Sequence, residues 1–145
     1  MADRIITSES AESILRKISY STGIEIATLG RIALSLSVRF YNFQELPLND
    51  TKGREIRRQS LFGQDEAFYK SIISVLYKKE FTDDEFVSND SVIKRHVEHG
   101  CQLLATMYQE SNEDVTELLA RLGSLVEDKG VSYTQTDVPK INIHV

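Results

Sequence analysis

Four cations stand within seven residues in the stretch "TKGREIRRQSLFG": Lys52, Arg54, Arg57 and Arg58, diluted only by Glu55. A guanidinium bonds phosphate oxygens in pairs, so a cluster of this kind on a loop suits a phosphate backbone. The competing reading is a solvated loop whose charges pair with Glu45, Asp50 and Glu55. Repeating the patch in an assembly would favour the first reading, because each neutralised phosphate adds affinity by releasing counterions.

The other reactive residues offer less. His96 and His99 are spaced i, i+3 with Glu98 between them. Two imidazoles are too few for a stable metal site, so they read as a polar helix face or a contact pair. Cys101 falls inside a helical pattern, where a buried thiol acts as a small apolar residue. Asp83-Asp84-Glu85 is the only dense carboxylate cluster, and acidic residues favour the first turn of a helix. No phosphate loop, GxGxxG or CxxC pair occurs. Neither a catalytic residue nor a metal or cofactor is expected.

The elements that must position the basic cluster are mostly helices. Arg4–Thr7 is β-prone. Ser8 or Ser10 can cap a first helix with Ala11, Ile14, Leu15 and Ile18 on one stripe, ended by Gly23. A second helix, about Glu25 to Tyr41, has two apolar faces. Ile26, Leu29, Ala33, Leu36 and Phe40 form one; Ala27, Leu34 and Val38 form the other. Such a helix is buried from both sides, and the second face is expected to meet another subunit. The basic loop follows, with Ile56 to Phe62 expected to be extended. A third helix fits Asp65 to Lys79, with Phe68, Ile72, Val75 and Leu76 inward. A fourth fits Ser91 to Glu110, and a fifth Glu113 to Asp128, ended by Gly130. The tail from Val131 lacks a helical pattern. The expected fold is therefore mainly α: a compact bundle of about five helices with a short N-terminal strand and an extended basic loop. Residues 1–110 form the expected core, and residues 111–145 a C-terminal helix and tail extension.

The 145-residue chain has a net charge of −5, unevenly spread. Residues 1–80 hold 12 Lys/Arg and 10 Asp/Glu, and residues 81–145 hold 5 and 12. This argues against nonspecific DNA binding by the whole surface but leaves room for a basic patch in the first half. No apolar run approaches the roughly 20 residues that span a bilayer. With a single cysteine and no signal-peptide pattern at the start, a cytoplasmic protein is expected.

Three blocks in order carry a resemblance. "KISYSTGIEIATLGRIALSLSVRF", "REIRRQSLFGQDEAFYKSII" and "RHVEHGCQLL" resemble the DndE family of DNA sulfur modification proteins. The resemblance implies a small, mostly helical subunit of the machinery that replaces a non-bridging backbone oxygen of DNA with sulfur, as in DNA phosphorothioation and its restriction-modification systems. It implies a homotetramer that joins other DNA sulfur modification subunits and binds double-stranded DNA, with a preference for nicked DNA. Sulfur activation would belong to those other subunits. Carried onto this chain, the implied backbone contacts are Arg16, Lys17, Arg31, Arg39, Arg54, Arg57 and Arg58, joined by Lys52 from the loop cluster. The acidic balance and the fifth helix depart from the family pattern.

Two other readings compete. A strand, a helix, a turn and a buried helix follow the order of a ribbon-helix-helix transcriptional regulator, whose paired strands read the major groove. Here the strand offers little besides Arg4 for base edges. A nuclease would need clustered carboxylates for metal, and only Asp83-Asp84-Glu85 is dense enough.

Overall fold

The computed structural model describes residues 2–131. Strand β1 (Arg4–Ile6) leads into helix α1 (Glu9–Thr22). Ser8 caps α1 by accepting a hydrogen bond from the Ala11 amide, and Gly23 closes it in the left-handed conformation at φ 78°. Helix α2 (Ile26–Phe40) follows, then a long connection to strand β2 (Glu55–Arg57). The two strands pair antiparallel, with Ile5 opposite Ile56 and Arg4 opposite Arg57. Helices α3 (Arg58–Phe62), α4 (Glu66–Tyr77), α5 (Asp83–Phe86), α6 (Val92–Glu110) and α7 (Val115–Val131) complete the described chain.

Helix α6 is the spine. Val92, Ile93, Val97, Cys101 and Leu104 are buried along it. Its principal neighbour is α2. The two backbones meet at Gly100, where any side chain would collide with the Ala33 carbonyl. Glycine is required there by close approach. The aromatic side of the core stacks Phe62 on Phe86, with ring centroids 5.6 Å apart.

The mainly helical bundle with a short N-terminal strand is as expected, and the five long helices lie where periodicity places them. Four details differ. The segment after Arg57 is not extended: α3 turns immediately, burying Leu61 and Phe62. The second face of α2 meets its own chain at least in part: Leu34 is fully buried in the protomer and Ala27 and Val38 pack against the core, with α6, α3 and α1 the neighbours of the helix. Helix α4 is rotated from its expected phase. Ile73 points inward with Tyr69 and Tyr77 beside the core, while Phe68 and Val75 are exposed. Helix α7 runs through Gly130 to Val131. The unpatterned tail expected beyond it lies outside the described residues.

Candidate nucleic-acid interface

The β1–β2 ribbon sets the geometry. Successive strand side chains alternate between faces. Because Ile5 and Ile56 turn into the core, Arg4 and Arg57 turn outward side by side. The approach to β2 is pinned to the start of α1. The Gly53 amide donates to the Thr7 carbonyl at 2.8 Å, the Arg54 amide to Thr7 Oγ1 at 2.8 Å, and the Thr7 amide to the Arg54 carbonyl at 2.9 Å. Gly53 has no room for a side chain, since a Cβ would strike the Ser8 carbonyl. This anchoring puts the Arg54 guanidinium 4.0 Å from Glu12, which lies 3.1 Å from Arg16. Arg4 and Arg57 thus stand together on the ribbon, Arg54 and Arg16 flank Glu12 at the start of α1, and Lys52 is exposed two residues before Arg54; these five exposed cations make up the basic strip. Glu55 pairs with Arg4 and Glu12 lies between Arg16 and Arg54, so the strip is basic but not purely so. Among the described residues, Arg57 forms no ion pair.

The remaining cations expected to touch DNA are engaged elsewhere. Arg58 is the clearest case. Its Nη2 lies 2.6 Å from Glu66 and 2.6 Å from Asp83. Its Nη1 donates to Asp83 at 3.1 Å and to the Ala2 carbonyl at 2.9 Å, and its Nε to Glu66 at 3.0 Å. All five guanidinium donors are occupied. The side chain is 14% exposed, and the two carboxylates raise its pKa further. In return Arg58 holds the Asp83 carboxyl below the usual range. Arg58 locks α3, α4 and α5 together. Arg31 donates to the Leu61 and Ser60 carbonyls at 2.7 and 3.0 Å, satisfying the end of α3. Arg39 sits with its guanidinium 5.5 Å from the Phe40 ring centroid. Lys17 is drawn to Glu113 at 2.8 Å, and that bond raises its pKa.

Behind the strip lies a polar network that local sequence did not reveal. Glu98 accepts from the Ser8 amide and hydroxyl, both at 2.7 Å, and from Asn49 Nδ2 at 2.8 Å. Lys94 Nζ donates to the Ile6 carbonyl at 2.8 Å and to the Asp50 carbonyl. The i, i+4 spacing of Lys94 and Glu98 suits a surface pair. Instead both reach inward and fix β1, the start of α1 and the Asn49–Asp50 turn to α6. The basic strip is held by α6 through them.

The histidines contact one hydroxyl. Ser37 Oγ lies 2.7 Å from His96 Nδ1 and 2.8 Å from His99 Nδ1, and Tyr77 Oη lies 2.8 Å from His96 Nε2. A hydroxyl carries one proton, so at least one of the two imidazoles must donate to Ser37. Burial pushes His96 down to about 3, which keeps it neutral. Ser37 is fully buried, so this serine–histidine pair is closed to any substrate. Cys101 is buried as well, and burial pushes its thiol up. Among the described residues, no group of three or more His, Cys, Asp or Glu could hold a metal ion. The Asp83-Asp84-Glu85 cluster is a helix start, with a capping box between Thr82 and Glu85. Strand β1 pairs with β2 of its own chain, whereas a ribbon-helix-helix dimer pairs the strands of two copies.

Comparison with known proteins fits this arrangement. The fold is similar to the crystal structure of DndE from Escherichia coli B7A, a protein involved in DNA phosphorothioation modification. The TM-score is 0.55 at 22% sequence identity, over 72% of this chain and 98% of that one. No curated protein sequence matches the chain. The family profile of the DNA sulphur modification protein DndE matches residues 4–112, which take in the ribbon and α1 to α6. The chain belongs to the DndE family of DNA sulphur modification proteins.

Proposed function

We propose that this protein is a non-catalytic, DNA-contacting assembly subunit of the phosphorothioation machinery. It acts as a homo-oligomer, a tetramer by family resemblance, alongside the other sulfur modification subunits, and it favours nicked duplex. The observation that carries this reading is the set of exposed cations on the ribbon and the start of α1, Arg4 beside Arg57 and Arg54 with Arg16 about Glu12, on a backbone that Lys94 and Glu98 of α6 anchor. Lys52 extends the set. Phosphate contacts of this kind position a protein on DNA without reading bases. A nick lowers the cost of bending the duplex against a rigid surface. The acidic second half of the chain repels DNA and confines it to the basic side. The proposed contact set keeps three of the seven cations implied by the resemblance, retains Lys52 from the loop cluster and adds Arg4: Arg58 and Arg31 serve the fold, and Lys17 and Arg39 are peripheral.

The test is a gel-shift titration of nicked and intact duplex at two salt concentrations, with wild type and an Arg54/Arg57→Ala variant of confirmed oligomeric state. Wild type should bind nicked duplex more tightly. The variant should lose about 0.9 from the salt slope for each phosphate contact removed. Equal affinity and equal slope for both proteins would sink the reading.

A further inference from the structure

The orientation of α4 leaves an apolar row in solvent. Phe68 is 62% exposed and Val75 is 75% exposed, with half-buried Ile72 between them at helical spacing. The inward side of the same helix already uses Tyr69, Ile73 and Tyr77. A 12-residue helix with large apolar groups on both sides has one more face than the protomer covers.

Two features of this face point to its occupant. Beside the large row runs a row of small residues, Ala67, Ser71 and Ser74, one position earlier in each case. The Ser71 hydroxyl donates to the Ala67 carbonyl at 2.9 Å, so covering it leaves no unmet donor. A large row beside a small row packs well against itself, each ridge lying in the other's groove. The charges at the ends are also self-complementary. Exposed Asp65 precedes the row and exposed Lys78 follows it, and neither forms an ion pair among the described residues. Antiparallel packing of two copies about a two-fold axis at Ile72 sets Phe68 against the Val75 turn. It brings each Asp65 to the partner's Lys78 end.

We propose that the exposed face of α4 is a two-fold contact between copies of this chain, with Ile72 at the axis. This deepens the assembly reading above and rests on it. A two-fold contact is self-complementary by necessity, and the row of large residues, the row of small ones and the end charges all satisfy that requirement. It also moves the expected assembly face away from Leu34, which the protomer itself buries.

The experiment uses the full chain. Light scattering over a range of concentrations compares wild type with Val75→Asp, Asp65→Lys, Lys78→Asp and the double reversal. Val75 is mostly exposed, so Val75→Asp should fold with unchanged circular dichroism. It should weaken self-association by at least about tenfold, because the contact would bury an unpaired charge. Each single reversal should weaken association, and the double reversal should restore it. Separately, Ile72→Cys should form an intermolecular disulfide on mild oxidation, while a cysteine at the exposed α6 position, Thr106→Cys, should not. A monomeric wild type at every concentration would overturn both the assembly and this contact. An oligomeric wild type with an equally oligomeric Val75→Asp variant, or failure of Ile72→Cys to cross-link, would overturn the α4 contact alone. In that outcome a partner other than a second copy covers the face.

Discussion

Arg57 and Arg58 are neighbours in sequence with opposite fates. Arg57 is the last residue of β2 and points to solvent, whereas Arg58 opens α3 and spends every donor on Glu66, Asp83 and the Ala2 carbonyl. The two substitutions should therefore separate. Arg58→Ala leaves two carboxylates facing each other and unpaired, and should cost about 1.5–3 kcal/mol of stability, the range for hydrogen bonds to charged groups. The partial exposure of Glu66 and Asp83 keeps it below the cost of breaking a fully buried pair. It should leave the salt slope of DNA binding unchanged. Arg57→Ala should leave stability within about 0.5 kcal/mol, as for most surface changes, and lower the slope. Urea denaturation and the gel-shift titration read the two effects independently. A slope change in Arg58→Ala at full folding would mean that this arginine reaches DNA after all.

At the scale of elements, the α2–α6 crossing decides most of the architecture. Gly100 lets the α6 backbone touch the Ala33 turn of α2, and Ser37, one turn further along α2, reaches both histidines of α6. A methyl at position 100 meets backbone, which cannot rotate away. Gly100→Ala should therefore push the helices apart and cost about 1–3 kcal/mol or more, the penalty of overpacking, despite alanine's better helix propensity. Gly123 on α7 is the control, since a side chain there meets nothing within 4 Å. Gly123→Ala should be neutral or stabilising. Thermal unfolding of both variants tests the crossing, and a Gly100→Ala protein as stable as wild type would refute it.

For the whole molecule, acid should be destabilising well before the carboxylates titrate. His96 is neutral in the fold, its pKa pushed from the ordinary 6.5 down to about 3, and His99 is lowered in the same direction by burial. A depressed folded pKa means that the unfolded chain binds protons first as pH falls. The stability from a neutral His96 is complete above about pH 6.5 and is lost progressively toward pH 3, at up to about 1.4 kcal/mol per pH unit, and His99 adds a loss of the same sign. Asp50, Asp83 and Glu85, also lowered, add their own loss only at more acidic pH. Urea midpoints at pH 7.5 and 5.5 should fall for wild type, and much less for a folded His96→Gln variant. A wild-type midpoint that does not move would contradict the buried, neutral state of His96.

The sequence by itself determined the elements. The stripe Ala11, Leu15, Ile18 and the caps Ser8, Gly23 and Ser91 are local signals, carried by periodicities and hydrogen bonds that span a few residues. The basic loop was legible as a cluster for the same reason. What tertiary structure alone decided is which face, and which partner, each residue meets. Helices α2 and α4 both carry apolar residues on two sides, and periodicity cannot say which side the protomer covers. In α2 the chain itself buries Leu29, Ala33 and Leu36 on one face and Leu34 on the other, while in α4 Phe68 and Val75 remain outside. Arg4 joined the basic strip only when β1 paired with β2, some fifty residues later in the chain. Arg58 left it because Asp83, 25 residues away, folds back onto it. Lys94 and Glu98 look like a surface pair until β1 and the Asn49–Asp50 turn bring them backbone partners. In each case the deciding contact is distant in sequence, and a charge or an apolar face takes its role from whatever the fold places opposite it.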